Sequence, residues 1–170
     1  MSAGADGYRR RPSGGPVVRT DIVDVYLFRD AGAAGGIELL QLLRVGEPLG
    51  GTWQPIMGHI EPGEAAPATA LRELREEVGL EKDDPSVLGI WALEQVHPFY
   101  LAALDCIVMS PRFGVLVRSG WEPVLNAEHS AFRWTARDED FMWPGQRGSI
   151  EEIRRYLAVP SDARERLRIR

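Results

Sequence analysis

The 170-residue chain has a single cysteine, Cys106, a single lysine, Lys82, and no apolar run approaching the length of a membrane span. One cysteine excludes an internal disulfide, and the neighbours in Leu104-Asp105-Cys106-Ile107-Val108 make it read as a small buried hydrophobe on a strand. The scarcity of lysine leaves the positive charge with arginine, whose planar fork suits carboxylates and phosphates. The formal net charge of -5 excludes the basic excess needed to wrap a duplex. A nucleic-acid polymer is therefore not an expected partner, whereas a small phosphorylated ligand is. The segment Met1 to Pro16 is rich in Gly, Ser, Ala and Arg and has no apolar core, so it reads as a flexible tail, neither signal peptide nor anchor. These absences lead to the expectation of a cytoplasmic protein with no membrane partner.

What is present suits one hydrophobic core: 44% apolar residues over this length, read as a single domain from 17 to 160 and a charged tail or helix extension from 161 to 170. Alternating β-formers predict a strand over Val17–Arg29 and a partner over Ile37–Val45, joined by the glycine- and alanine-rich turn Asp30–Gly36. Trp53–Ile60 follows as extended chain. Past the Pro62-Gly63 turn the period changes, and Leu71, Leu74 and Val78 predict a helix over Ala65–Val78 with Gly79 as its cap. Ser86–Val96, Phe99–Met109 and Ala131–Thr135 read as strands. Val115–Val117 extends the sheet, residues 118–126 read as loop, and Ile150–Leu157 begins a final amphipathic helix. Strands on either side of one central helix, with a helix at the end, indicate an α/β sandwich with a mixed sheet.

The chemistry concentrates on the central helix. An advance of about 100° per residue places Glu73, Glu76 and Glu77 within one arc of about 100°, with Leu71, Leu74 and Val78 centred on the opposite side. Like charges so close cost the helix about 0.2–0.5 kcal/mol per pair, or drive a proton onto one of them. A hard divalent cation such as Mg²⁺ or Mn²⁺ removes the conflict. Alone, the helix would also pass as a solvated one in which Arg72 pairs with Glu76. The preceding Gly58-His59-Ile60-Glu61-Pro62-Gly63-Glu64 alters that balance, because its glycines allow close backbone approach to a metal or phosphate and it sets an acid at the helix start.

Gly58, Glu64, Arg72, Glu73, Leu74, Glu76, Glu77, Gly79 and Leu80 match every fixed position of the Nudix box, including its two gaps. The chain thus resembles the Nudix hydrolases, and the resemblance implies their α/β/α sandwich with a mixed central sheet. It also implies roles. Glu73, Glu76 and Glu77 would hold Mg²⁺, with Mn²⁺ a substitute, and Glu73 or a nearby acid would activate water. Arg72 would orient the carboxylates, Glu64 would support the site, and the Gly58 carbonyl would be a backbone ligand. The reaction would be substitution at phosphorus in a diphosphate linkage, without a covalent nucleophile.

Two further segments, Gly51-Thr52-Trp53-Gln54-Pro55-Ile56-Met57-Gly58-His59 and Asn126-Ala127-Glu128-His129 with Phe132-Arg133-Trp134, look like the dihydroneopterin triphosphate and dATP pyrophosphohydrolase branch. That likeness would make Glu128 a metal ligand from outside the box, and His129 a substrate or metal-shell contact or else a structural histidine. Trp53 and Trp134 could stack on a purine or pterin, with core packing as the alternative. Arg44, at the end of its strand, could reach a terminal phosphate, with surface salt bridging as the default. His59 is given no role, and His97 reads as a turn residue. The segment Pro111–Pro123 and the Arg9-Arg10-Arg11 leader depart from the branch. A Pro-Lys-Gly-like segment is absent before Gly58, which disfavours dinucleoside polyphosphates. The leading expectation is a pyrophosphohydrolase releasing monophosphate and pyrophosphate. Hydrolysis of a nucleotide sugar or dinucleoside polyphosphate, or a non-catalytic nucleotide-binding module, stand as alternatives. An exposed edge strand makes a homodimer conceivable.

Overall fold

The computed structural model describes residues 14–32, 35–47, 49–137, 143–158 and 162–169; the arginine leader lies outside them. Its organising strand is β2 (Ile22–Asp30), buried from Val23 to Phe28. A strand apolar on both faces must be covered on both, and two helical layers do so. Val23, Val25 and Leu27 join one core with Ala70, Leu74 and Val78 of helix α1 (Ala66–Val78). Tyr26 and Phe28 join a second core with Ile150, Ile153 and Leu157, from helix α2 (Pro144–Glu152) and the wider helical turn Ile153–Leu157 that continues it.

The remaining strands are β1 (Val17–Arg19), β3 (Ile37–Arg44), β4 (Trp53–Gln54), β5 (Ile56–His59), β6 (Val87–Ala92), β7 (Phe99–Leu101), β8 (Cys106–Val108), β9 (Arg112–Val117) and β10 (His129–Thr135). The main sheet runs β10-β3-β2-β9-β6, with β4 on β3 and β5 on β2. Its β2–β9 pair is parallel and its other pairs antiparallel, so the sheet is mixed and the α/β/α sandwich holds. A three-stranded sheet, β1-β8-β7, stands beside it. A short helix α3 (Asp162–Arg166) precedes a bridge from Arg168 to Trp91 on β6. No helix among the described residues is long and apolar enough to cross a membrane.

The β2–β3 hairpin and α1 follow the sequence expectation. Pro67 opens α1, and Gly79, at φ 69°, closes it with its N–H on the Arg75 carbonyl while Leu80 N–H reaches Leu74. Other expectations need correction. Val17–Arg29 is two strands in two sheets, parted where the Arg19 fork grips Asp21 (2.9 and 2.7 Å). Phe99–Met109 is folded back on itself by a turn at Ala102–Leu104, with Asp105 at φ 48°. The strand expected over Val115–Val117 is longer: β9 begins at Arg112 and is an inner strand of the main sheet, where a Cβ on Gly114 would lie 2.8 Å from Leu157 Cδ1. The strand expected to Val96 ends at Ala92, and the final helix starts at Pro144, ahead of Ile150.

Candidate active site

The box folds into a brace built around one arginine. Arg72 donates from Nη1 to Glu73 (2.6 Å) and Glu76 (3.2 Å), from Nη2 to Glu64 (3.1 Å) and the His59 carbonyl (2.8 Å), and from Nε to Glu64 (3.2 Å). Five planar donors are used on four partners, which a point-charge ammonium could not match. Glu64 also accepts from Thr69 Oγ1 (2.8 Å) and the Glu61 N–H (3.1 Å). The Arg72 bonds, then those from Thr69 and Glu61, hold its carboxyl down at about 2. Glu64 therefore belongs to the brace and does not line the cleft.

Strand β5 brings Gly58 flush against α1, where a Cβ at this position would overlap the Glu73 carboxylate. The residue has to be glycine for the acid to sit there. Glu77, one turn further on, is 2% exposed, and its Oε2 has no hydrogen-bond partner. Burial first, then the charges of Glu73 and Glu128, push its carboxyl up to about 9, with a Met57 backbone N–H opposing. Burial likewise raises Glu73 against the pull of Arg72. Among the described residues no three acid, histidine or cysteine side chains are grouped to hold a metal ion, Arg72 having drawn Glu73 and Glu76 to itself. The donor chemistry nevertheless fits a hard cation, since an orphaned buried carboxylate oxygen among further acids is costly until positive charge arrives.

Glu128 reaches the cleft because the loop before it is fastened to the end of α1: Val124 N–H bonds Val78 (3.0 Å) and Asn126 N–H bonds Glu77 (3.3 Å). Arg44 lies beside it, Nη1 to Glu128 Oε2 at 3.8 Å. His129 is 4% exposed and sits behind this wall, with Nε2 3.8 Å from Glu77 Oε2, too long for a hydrogen bond. Its Nδ1 faces Asn126 Oδ1 at 3.3 Å, an oxygen already accepting the Glu128 N–H, so Nδ1 carries the proton. Burial lowers its basicity. It contacts a candidate ligand from behind and does not line the cleft.

The cleft has a volume of about 420 Å³ and a lining of two chemical kinds. Charged side chains are Arg44, Glu61, Arg72, Glu73, Glu76, Glu77 and Glu128; apolar and aromatic ones include Ile22, Met57, Phe99, Leu104, Val108 and Trp143. Phe99 and Trp143 stack with ring centroids 5.8 Å apart and planes 12° from parallel. The tryptophans favoured by sequence are elsewhere engaged. Arg133 covers the Trp53 ring at 4.3 Å and donates to Gln41 Oε1 (2.8 and 2.6 Å). Arg29 covers Trp134 at 4.0 Å, Trp121 meets its edge, and its Nε1 faces Glu122 (3.3 Å). Neither lines the cleft, and each ring packs against protein groups, the alternative that the sequence left open. Nothing in the spacing of Phe99 and Trp143 marks them as partners; a Trp just before the Pro that opens a helix was the one local signal.

Comparison with known proteins agrees with this geometry. The asymmetrical bis(5'-nucleosyl)-tetraphosphatase of Sus scrofa is 31% identical over 96 residues, which are 51% of this chain and 57% of that one. The chain thus spans little more than half the length of the curated relatives it matches first. Among solved structures, the E. coli dihydroneopterin triphosphate pyrophosphohydrolase superposes with a TM-score of 0.64 at 21% identity, covering 82% of this chain and 97% of that one. A C. elegans Ap4A hydrolase binary complex gives 0.63 at 21% identity, covering 82% and 98%. The family model for the NUDIX domain matches residues 18–154, and with the intact box on α1 this shows that the chain belongs to the Nudix family.

Proposed function

We propose that this cleft hydrolyses a diphosphate linkage in a nucleoside triphosphate or a related pterin triphosphate, giving a monophosphate and pyrophosphate. The observation that carries the reading is the buried Glu77 carboxyl, whose Oε2 has no hydrogen-bond partner, in a cleft lined both by further acids and by the stacked rings of Phe99 and Trp143. Glu73, Glu76, Glu77, Glu128 and the Gly58 carbonyl would hold Mg²⁺, or Mn²⁺ in its place. When bound, the cation supplies charge neutralisation of the diphosphate and a more acidic attacking water. Glu73 or a neighbouring acid takes the proton from that water. Arg72 keeps the Glu73 and Glu76 carboxylates in place, Arg44 meets a phosphate oxygen, and Phe99 with Trp143 receives the flat ring.

A second reading, cleavage of a dinucleoside polyphosphate, is favoured by the tetraphosphatase relative and predicts a different product set. The test is the purified protein with Mg²⁺ on a panel of nucleoside triphosphates, dihydroneopterin triphosphate, nucleotide sugars and dinucleoside polyphosphates, with products separated. Pyrophosphate released beside a monophosphate, lost in a folded Glu77→Gln variant, is the expected result. Turnover of nothing on the panel would refute it.

A further inference from the structure

Behind the aromatic wall lies a buried ion pair that the proposed chemistry leaves unused. Arg112, on β9, is 3% exposed. Its Nη1 donates to the Gly145 carbonyl (2.7 Å) and to Ser149 Oγ (2.7 Å), and its Nη2 donates to the His97 carbonyl (3.1 Å). Its Nε faces Asp24 Oδ2 on β2 at 3.2 Å, an ion pair off the angle of a hydrogen bond. The guanidinium therefore joins the main sheet, the first turn of α2 and the loop leading into β7.

The places it grips matter more than their number. His97 is two residues before Phe99, and Gly145 is two residues after Trp143. Each ring of the stack thus hangs from a carbonyl held by the same planar group. The packing leaves little slack, since a Cβ on Gly145 would lie 3.3 Å from Arg112 Nη2, and one on Gly148 would overlap the His97 imidazole. Glu152 ties the same loop to α2 by accepting the Glu94 N–H (2.6 Å) and the Gln95 N–H (3.3 Å). Asp24, Met57, Phe99, Arg112, Trp143 and Gly145 line a void of about 10 Å³ directly behind the rings, room for one water at most.

We propose that Arg112, with Asp24 as its counter-ion, is the positioning residue that fixes Phe99 and Trp143 as a preformed wall for the planar ring of the substrate. The proposal rests on the reading of this cleft as the active site. A guanidinium suits the task because one rigid fork fixes two carbonyls and a hydroxyl in a single plane, whereas an ammonium would leave their spacing free. Asp24 keeps the buried charge tolerable. Arg112 acts from behind the wall and touches neither phosphate nor ring, so its loss should be felt as lost ring discrimination.

The test compares dATP with methyl triphosphate, which keeps the phosphate chain and lacks the ring, in the wild type, in Arg112→Met and in the double replacement Asp24→Leu with Arg112→Met. The double variant leaves no lone buried charge and guards against failure to fold. A base–aromatic stack is strong enough that its loss should lower kcat/KM for dATP by about ten- to hundredfold relative to methyl triphosphate, chiefly through KM. Adenosine titrated without metal and followed by tryptophan fluorescence should bind both variants more weakly than the wild type by a similar factor. Equal losses on the two triphosphates, or unchanged adenosine affinity, would overturn the proposal. If the wild type hydrolyses neither triphosphate, the proposed reaction fails, and the adenosine titration still decides the role of Arg112.

Discussion

We expect Glu77→Gln to abolish hydrolysis and, without divalent cation, to gain stability relative to the wild type as pH rises. The carboxyl is 2% exposed, its Oε2 is unpartnered, and burial with the charges of Glu73 and Glu128 pushes it from 4.5 up to about 9. The folded state therefore keeps a proton that the unfolded chain releases. Stability from this group is fully present below about pH 4.5 and is lost as pH rises through about 9, at about 1.4 kcal/mol per pH unit. At pH 8 the ceiling is about 5 kcal/mol, and water entry with side-chain relaxation should leave about half of it. Glutamine keeps the shape without the charge, at the smaller cost of about 1–3 kcal/mol for a buried amide lacking full partners. Urea denaturation in EDTA should show the variant gaining on the wild type as pH is raised from 5 to 8. Mg²⁺ should then stabilise the wild type strongly and the variant little. A stability difference between variant and wild type in EDTA that does not change from pH 5 to 8, or equal stabilisation of both by Mg²⁺, would refute the reasoning.

Four other substitutions separate the parts of the site. Arg72→Lys keeps the charge and loses the fork shared by Glu64, Glu73, Glu76 and the His59 carbonyl, so we expect about ten- to hundredfold weaker metal affinity by calorimetry, with little recovery at high pH. Gly58→Ala forces the Glu73 carboxylate aside and should cost about a hundredfold in kcat while circular dichroism remains that of the wild type. Trp134→Phe weakens the contacts with Arg29 and Glu122, so it should cost about 1 kcal/mol in urea denaturation and leave KM within about twofold, whereas Phe99→Ala should raise KM about tenfold.

The acid wall was legible because its parts are neighbours along one turn and one helix, where spacing alone sets direction: Glu73 and Glu77 share a face, and Gly58 needs only the adjoining strand to meet them. Arg44 was singled out by its place at the end of a strand and Glu128 by likeness, and both line the cleft. The ring wall was not legible. Phe99 and Trp143 come from separate elements and meet through bonds made by Arg112, which lies between the break expected at Pro111 and the strand expected from Val115. Trp53 and Trp134 misled because closeness to a motif along the chain says little about closeness in space. The first stands on β4 with its ring under Arg133, and the second on β10 with its ring under Arg29.

The carboxylates of the box divide by what Arg72 can satisfy. Glu64 receives two bonds from it, with others from Thr69 and Glu61, and is fully spent on structure. Glu73 and Glu76 share a single Nη1 and keep acceptor capacity. Glu77 receives nothing from Arg72 and its Oε2 has no hydrogen-bond partner, while Glu128 meets Arg44 at 3.8 Å. The unmet acceptor capacity therefore grows from the brace toward Glu77 and Glu128, the end where backbone bonds from Val124 and Asn126 pin the loop to α1. A rigid scaffold that holds acids together without supplying their counter-charge is unfavourable on its own, and the main sheet and both helical cores must outweigh it. On the proposed reading, that local cost would be relieved directly by a hard divalent cation, and a diphosphate would be accepted only once the cation is bound, because alone it meets like charge.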